Sequence, residues 1–200
     1  MTEERFVRVP MRVWNGLPGL AAAFGILAVI GGGGFALLEY FDRKASARAA
    51  QTLEMIDIWD TRGAQTAYLE ISRALQEEIA DLDASDAVPD ERVPIVEGNI
   101  ARRVLREVGD ETYLTIVQFF TRLSLCVQSQ LCSAQVAATF FGETLADFRH
   151  WFRREIADRQ KLTRSHGREL DWLLCRFLEF EDDLLERVPG LSCPQITSGK

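Results

Sequence analysis

The chain has 200 residues, a formal net charge of −7 at pH 7 and 47% hydrophobic residues. The acidic balance argues against a nucleic-acid-binding protein, because the electrostatic footprint of such a protein is basic. The two histidines and four cysteines lack the spacing of metal ligands, so we expect neither a metal ion nor another cofactor.

A window of twenty-six residues without a charged side chain lies between Arg12 and Glu39. A helix needs about 20 apolar residues to cross a bilayer, whereas a cleaved signal has an apolar stretch of about 7 to 15 residues. The nearest small-residue triplet, Ala45-Ser46-Ala47, lies beyond four charged residues, which disfavours a cleavage site. We therefore predict a tail over residues 1–13 and a single transmembrane helix over residues 14–39 in the inner (cytoplasmic) membrane.

Small residues recur on one side of this predicted helix at spacings of three and four. They are a candidate packing seam, because small side chains let two membrane helices approach closely. The alternative is that glycine and alanine are simply frequent in membrane helices. Both interpretations stay open for Ala21, Gly25, Ala28, Gly32 and Ala36.

The orientation in the membrane does not follow from the flanking basic residues, because three lie on each side of the window. The free amino terminus adds a positive charge to the first side. Moving a tail with three arginines outward would be costly, so we expect the N-terminus inside and the body in the periplasm.

The segments that follow have helical periodicity. Residues 40–84 form a predicted juxtamembrane helical region with an apolar stripe at Leu53, Ile56 and Trp59, a break near Gly63, and a second stripe. Residues 85–99 are acidic and contain prolines, which predicts a linker.

Residues 100–188 form a predicted helical bundle. Gly109 ends its first helix, Ser133 caps a long helix, and a last helix runs from near Ser165 to Val188. The long helix has an apolar stripe at Val136, Phe140, Leu145, Phe148, Phe152 and Ile156. Residues 189–200 are predicted to be a flexible tail. The fold class is therefore all-α, with one N-terminal transmembrane helix followed by a small helical bundle.

The cysteines allow one plausible crosslink. Cys126 and Cys132 lie six residues apart in a predicted turn, so they form either a disulfide or two buried thiols. Cys175 and Cys193 are harder to join. A helix continuing to Val188 places Cys175 about 20 Å from its end, and the five residues beyond reach only about 17 Å.

Two polar or aromatic features have both a functional and a structural interpretation. The stretch 149–168 has six arginines, but interleaved carboxylates favour an ion-paired helix face over an anion site. A cluster of aromatic residues is explained by a packed core rather than by a ligand pocket. Its members are Phe119, Phe120, Phe140, Phe141, Phe148, Trp151 and Phe152.

The sequence has neither a nucleophile elbow nor a phosphate loop. We therefore assign no catalytic, cofactor-binding or metal residue.

The chain resembles an uncharacterised bacterial family of N-terminally membrane-anchored, all-helical proteins, a domain of unknown function. The resemblance rests on the N-terminal apolar helix, the segment Leu53–Trp59, Phe119-Phe120, Phe140-Phe141-Gly142 and Trp151. It implies a fold and a membrane anchor, and no activity or ligand.

These features predict a non-enzymatic, single-pass membrane protein whose helical body mediates protein–protein interaction or scaffolding. Its expected partners are the lipid bilayer and either a protein or a second copy, with no nucleic acid and no identified small-molecule substrate. The alternatives are an accessory subunit of a larger membrane complex and a membrane-tethered enzyme with an unrecognised site.

Overall fold

The part of the protein described by the computed structural model consists of α-helices joined by short turns. That part comprises residues 17–83, 93–181, 183–188, 191 and 193, without the side chains of residues 17–38, 82, 83, 93, 94 and 185. The helices are α1 Leu17–Thr61, α2 Ala64–Asp83, α3 Val93–Val108, α4 Asp110–Gln128, α5 Ala134–Leu162, α6 Arg168–Phe177 and α7 Leu184–Arg187. No strand occurs in these ranges, so the all-α fold class is confirmed.

The chain divides into two units, Met1–Ser46 and Ala47–Lys200. In the first unit, residues 17–46 belong to α1, and the predicted transmembrane segment falls largely on residues whose side chains are outside the described part. Within the described part of the chain, no helix has both the length and the apolar character needed to cross a membrane.

Glycines separate the helices where the sequence predicts breaks. Gly63 lies between α1 and α2 with φ +83°, and Gly109 lies between α3 and α4 with φ +89°. Both are in the left-handed region, which glycine enters without the penalty of a Cβ atom. Ser133 caps α5 by accepting a hydrogen bond from the Val136 backbone N–H. These three predicted boundaries are confirmed.

One hydrophobic core occupies the second unit, and it extends from Met55 on α1 to Val188 beyond α7. Within it, α2 packs against α3 and α4, while α5 packs against α3, α6 and α7. The predicted separation of residues 40–84 from the bundle at 100–188 is therefore wrong from residue 47 onward. The end of α1 and all of α2 bury their apolar faces against the later helices.

Two boundaries in the second half of the chain differ from the prediction. The helix α3 begins at Val93, so residues 93–99 are not linker. Pro94 is compatible with this start, because first-turn residues have no intrahelical partner for an N–H group. Residues 85–92 of the predicted linker lie outside the described part.

The predicted last helix is two helices, α6 and α7, because α6 ends at Phe177. Backbone N–H groups of Phe180 and Glu181 donate to the Phe177 carbonyl oxygen and turn the chain. The predicted flexible tail at 189–200 also needs correction, since Leu191 packs against the core. Residues 194–200 are outside the described part.

Two positions of the predicted apolar stripes face solvent instead of the core. Leu53 and Phe140 are each 54% exposed, whereas the neighbouring Thr52 and Phe141 are buried. Helical spacing alone allows either neighbour to lie at the centre of the buried face, and packing between helices selects one of them.

Candidate functional site

The candidate disulfide residues Cys126 and Cys132 are bonded to each other, with their Cα atoms 5.2 Å apart. We call residues 126–132 the disulfide turn. The backbone N–H groups of Leu131 and Cys132 both donate to the Cys126 carbonyl oxygen, at 3.0 and 3.1 Å. The turn is therefore closed both covalently and by backbone hydrogen bonds.

Cys175 and Cys193 are also joined, with their Cα atoms 5.5 Å apart. The expectation that these two cysteines are hard to join is wrong, because it assumed one helix continuing to Val188. Since α6 ends at Phe177, the chain turns back and places Cys193 beside Cys175. None of the four cysteines is free.

A buried threonine connects the disulfide turn to α1. Thr52 is fully buried, its hydroxyl donates to the Arg48 carbonyl oxygen at 2.8 Å, and its Oγ1 accepts from the Ser133 N–H at 2.8 Å. Arg48 also donates to Gln130 Oε1 at 3.0 Å. Sequence reasoning missed this contact. The available signal was that Thr52 precedes Met55 and Trp59 by three and seven residues, on the face that they bury.

A polar cluster lies where α4, α5 and the start of α6 meet. The hydroxyl of buried Tyr113 is 3.0 Å from His166 Nε2, and the Arg159 guanidinium lies 4.6 Å from the Tyr113 ring centre. Arg159 pairs with Asp110 and, at 2.6 Å, with Glu155. Burial raises the pKa of Tyr113. Burial and then the Arg159 charge lower the pKa of His166, so the imidazole stays neutral at pH 7.

The predicted ion pairing of the arginine-rich stretch 149–168 is found for Arg149, Arg153 and Arg159. Arg149 and Arg153 pair with carboxylates of other helices and not with the interleaved ones. Arg149 contacts Asp171 at 2.6 Å, and Arg153 contacts Glu97 at 2.6 Å. His150 also lies 3.4 Å from Glu97. These contacts link α5 to α6 and to α3, so the paired arginines join elements of the bundle.

A groove lies between α2 and α5, which we call the α2–α5 groove. Its volume is ≈ 190 Å³. Residues four apart share a helix face, so α2 contributes a polar row and an apolar row. The polar row is Tyr68, Ser72 and Gln76, and the apolar row is Ile71, Leu75 and Ile79. In the same way, α5 contributes Asp147 with Trp151 and Phe148 with Phe152.

The predicted aromatic core is largely confirmed. Phe119, Phe120, Phe141, Phe148 and Phe152 are buried. Trp59 joins them, with its ring centre 4.7 Å from that of Phe119. Phe140 is the exception, since it faces solvent, and Trp151 is half-buried at the groove.

The candidate packing seam has all five positions within α1, but its side chains are outside those that the structure describes. Within the described residues, no group of three or more potential metal-ligating side chains comes together. No family model, curated protein sequence or solved structure matches the chain. The resemblance to a bacterial membrane-anchored family stays a prediction.

Proposed function

We propose that this protein is a membrane-anchored interaction module whose helical body lies outside the cytoplasm and binds a protein or a second copy. The observation that carries the proposal is a pair of leucines presented to solvent on the disulfide turn and its flank. Leu125 is 53% exposed and Leu131 is 62% exposed.

Membrane anchoring is supported by the charge-free window between Arg12 and Glu39. That window exceeds the roughly 20 apolar residues that a membrane helix needs. The anchor places the body beside a bilayer surface, where a short-range interaction module has access to other membrane proteins.

The position of the body outside the cytoplasm is supported by the cysteine chemistry. Both cysteine pairs have the geometry of disulfides, with Cα separations of 5.2 and 5.5 Å. Disulfides persist in oxidising compartments such as the periplasm and are rare in the reducing cytosol. An N-terminus inside the cell and a body in the periplasm satisfy this requirement.

The interaction surface is supported by the way the two leucines are held. Each directly precedes a cysteine of the 126–132 bond. Thr52 and Arg48 fix the turn to α1 through Ser133 and Gln130. Because the turn is already ordered, it loses little conformational entropy when a partner covers the leucines.

A non-enzymatic role is supported by the state of the titratable groups. The Tyr113 hydroxyl is buried against His166, and Arg159 lies over the Tyr113 ring. Arg159 in turn pairs with Asp110 and Glu155. The polar groups of this arrangement contact one another, and these contacts stabilise the junction of three helices.

The test is crosslinking in intact membranes, followed by purification in mild detergent and mass spectrometry. We expect a specific crosslink to a protein or to a second copy, and we expect Leu125→Asp with Leu131→Asp to abolish it. The matched control is Leu162→Asp, because Leu162 is 89% exposed and lies at the end of α5.

A purely monomeric protein without a crosslinked partner would refute the proposal, and so would a crosslink that the double substitution leaves unchanged. Stoichiometric recovery with one large membrane assembly would instead assign the protein as an accessory subunit of that assembly.

A further inference from the structure

The α2–α5 groove has the size of a site for one small molecule. Its volume is ≈ 190 Å³. A cavity of about 150 Å³ in another protein admits benzene. The groove is therefore large enough for a single ring or a short chain. Its apolar wall is made by Ile71 and Leu75 from α2 and by Phe148 and Phe152 from α5.

A negative charge lies at the rim of this apolar wall. Asp147 lines the groove, and its Oδ1 accepts from Arg187 at 3.3 Å. The same guanidinium also pairs with Glu143 at 3.1 Å. Two carboxylates thus share one cation, which leaves one negative charge uncompensated among these three groups.

Tyr68 responds to this charge. Burial raises the pKa of Tyr68 most, and the Asp147 carboxylate raises it next; Glu143 raises it less, while a hydrogen bond with Ser72 and the Arg187 charge lower it. A phenol becomes harder to ionise where the local potential is negative. Asp147 is therefore the main charged group that acts on the space lined by Tyr68.

Aromatic side chains complete the preference for a cation. Tyr68 and Trp151 line the groove together with Asp147. The face of a tryptophan or tyrosine ring attracts an organic cation, and the attraction increases when the site is partly desolvated. Asp147 would repel an anionic ligand, and a wholly apolar ligand would gain nothing from the charge of this carboxylate.

We infer that the α2–α5 groove binds a small organic cation, a primary alkyl- or arylammonium compound. Its ammonium group pairs with Asp147 between Tyr68 and Trp151, and its apolar body lies against Phe148 and Phe152. This site is independent of the disulfide turn and does not rest on the proposed interaction function.

The test is a titration of the full-length protein, in nanodiscs of neutral lipid, with phenethylammonium. The readout is the ¹⁵N indole signal of Trp151, assigned by its loss in a Trp151→Phe sample. We expect saturable shifts with a dissociation constant of about 1 mM, as befits a ligand of about nine non-hydrogen atoms. Neutral phenethyl alcohol at the same concentration should shift the signal far less.

The diagnostic variant is Asp147→Asn, which preserves the shape of the side chain and removes its charge. We expect the dissociation constant to rise about fivefold, which is near the largest effect expected from the loss of one partly exposed charge contact. The matched control is Asp158→Asn. Asp158 is 46% exposed against 45% for Asp147, and its arginine contact is 3.4 Å against 3.3 Å. Both variants are measured in the same bilayer, so partition of the amine into lipid affects their apparent dissociation constants equally. It therefore cancels when the two constants are compared.

Several results would overturn the inference. These are the absence of saturable shifts, equal binding of the alcohol, and equal weakening by both substitutions. Tighter binding of acetyl-arginine amide than of phenethylammonium would assign the groove to a basic side chain of a partner protein. Circular dichroism verifies that Asp147→Asn is folded, and Glu143→Gln should weaken binding in the same direction by a smaller factor.

Discussion

Phe120 and Phe140 are the same residue type in opposite environments. Phe120 is fully buried, with its ring centre 5.4 Å from that of Phe119 and 5.7 Å from that of Trp59. Phe140 is 54% exposed. Removal of a buried ring loses the free energy of transferring that ring from water, and it leaves a cavity. Removal of an exposed ring loses only part of that transfer free energy and leaves no cavity.

We therefore expect Phe120→Ala to lower the free energy of unfolding by about 3 to 5 kcal/mol. Phe140→Ala should change it by about 0.5 kcal/mol, because surface substitutions rarely do more. The measurement is urea unfolding in mild detergent, followed by far-ultraviolet circular dichroism. Similar losses for the two variants would contradict the assigned burial.

His166 connects stability to pH. Its pKa in the folded state lies below the ordinary value of 6.5, first because the imidazole is partly buried and second because Arg159 is near. The unfolded chain therefore binds a proton at this residue more readily than the folded chain does. The stability that His166 contributes is present above pH 6.5 and is lost as the pH falls through the folded pKa.

We expect the free energy of unfolding to decrease between pH 7 and pH 5 more steeply in the native protein than in His166→Gln. The reason is that glutamine has no proton to bind in this range. Urea unfolding at several pH values tests this expectation, and equal slopes for the two proteins would disprove it.

The start of α6 depends on Gly167, which has φ +69°. A Cβ atom there would lie 2.6 Å from Ile156 Cγ2 on α5. Gly63 has a similar φ of +83°, but a Cβ atom there would meet nothing within 4 Å. The two glycines therefore separate the effect of backbone conformation from the effect of close packing.

We expect Gly63→Ala to cost about 1 to 2 kcal/mol, the penalty of a left-handed non-glycine residue. Gly167→Ala should cost about 1 to 3 kcal/mol more, because it also overpacks the contact with Ile156. Thermal and urea unfolding of the two variants measure the difference. Equal losses would mean that Ile156 relaxes without cost.

At the level of elements, the helix boundaries at Gly63, Gly109 and Ser133 were predictable because each depends on local chemistry. A glycine with positive φ and a serine that accepts a backbone hydrogen bond act within a few residues of their own position. The end of α6 at Phe177 has no such local signal. Its turn depends on core contacts of Leu184 and Leu191, which lie farther along the chain.

At the scale of the whole molecule, the two disulfides close loops of different length. Cys126 and Cys132 are separated by 6 positions, and Cys175 and Cys193 by 18. In the chain-entropy model, a longer closed loop restricts the unfolded chain more and stabilises the fold more.

We expect Cys175→Ser with Cys193→Ser to lower the free energy of unfolding by about 3 kcal/mol, and Cys126→Ser with Cys132→Ser by about 2 kcal/mol. Urea unfolding of the two double variants gives the comparison, and mass spectrometry of the intact chain verifies the remaining bond. The reverse order of losses would show that strain or residual structure outweighs loop entropy.

The sequence by itself determined the helical class, the main breaks and most of the aromatic core, because helix periodicity and glycine and serine signals act over short distances. Tertiary structure decided which face of each helix is buried, as Thr52 and Phe140 illustrate. It also decided that residues 47–83 belong to the bundle, that Cys193 reaches Cys175, and that Asp147 meets Tyr68 in one groove. These pairings join residues far apart in the chain, and their geometry follows from packing among several helices at once.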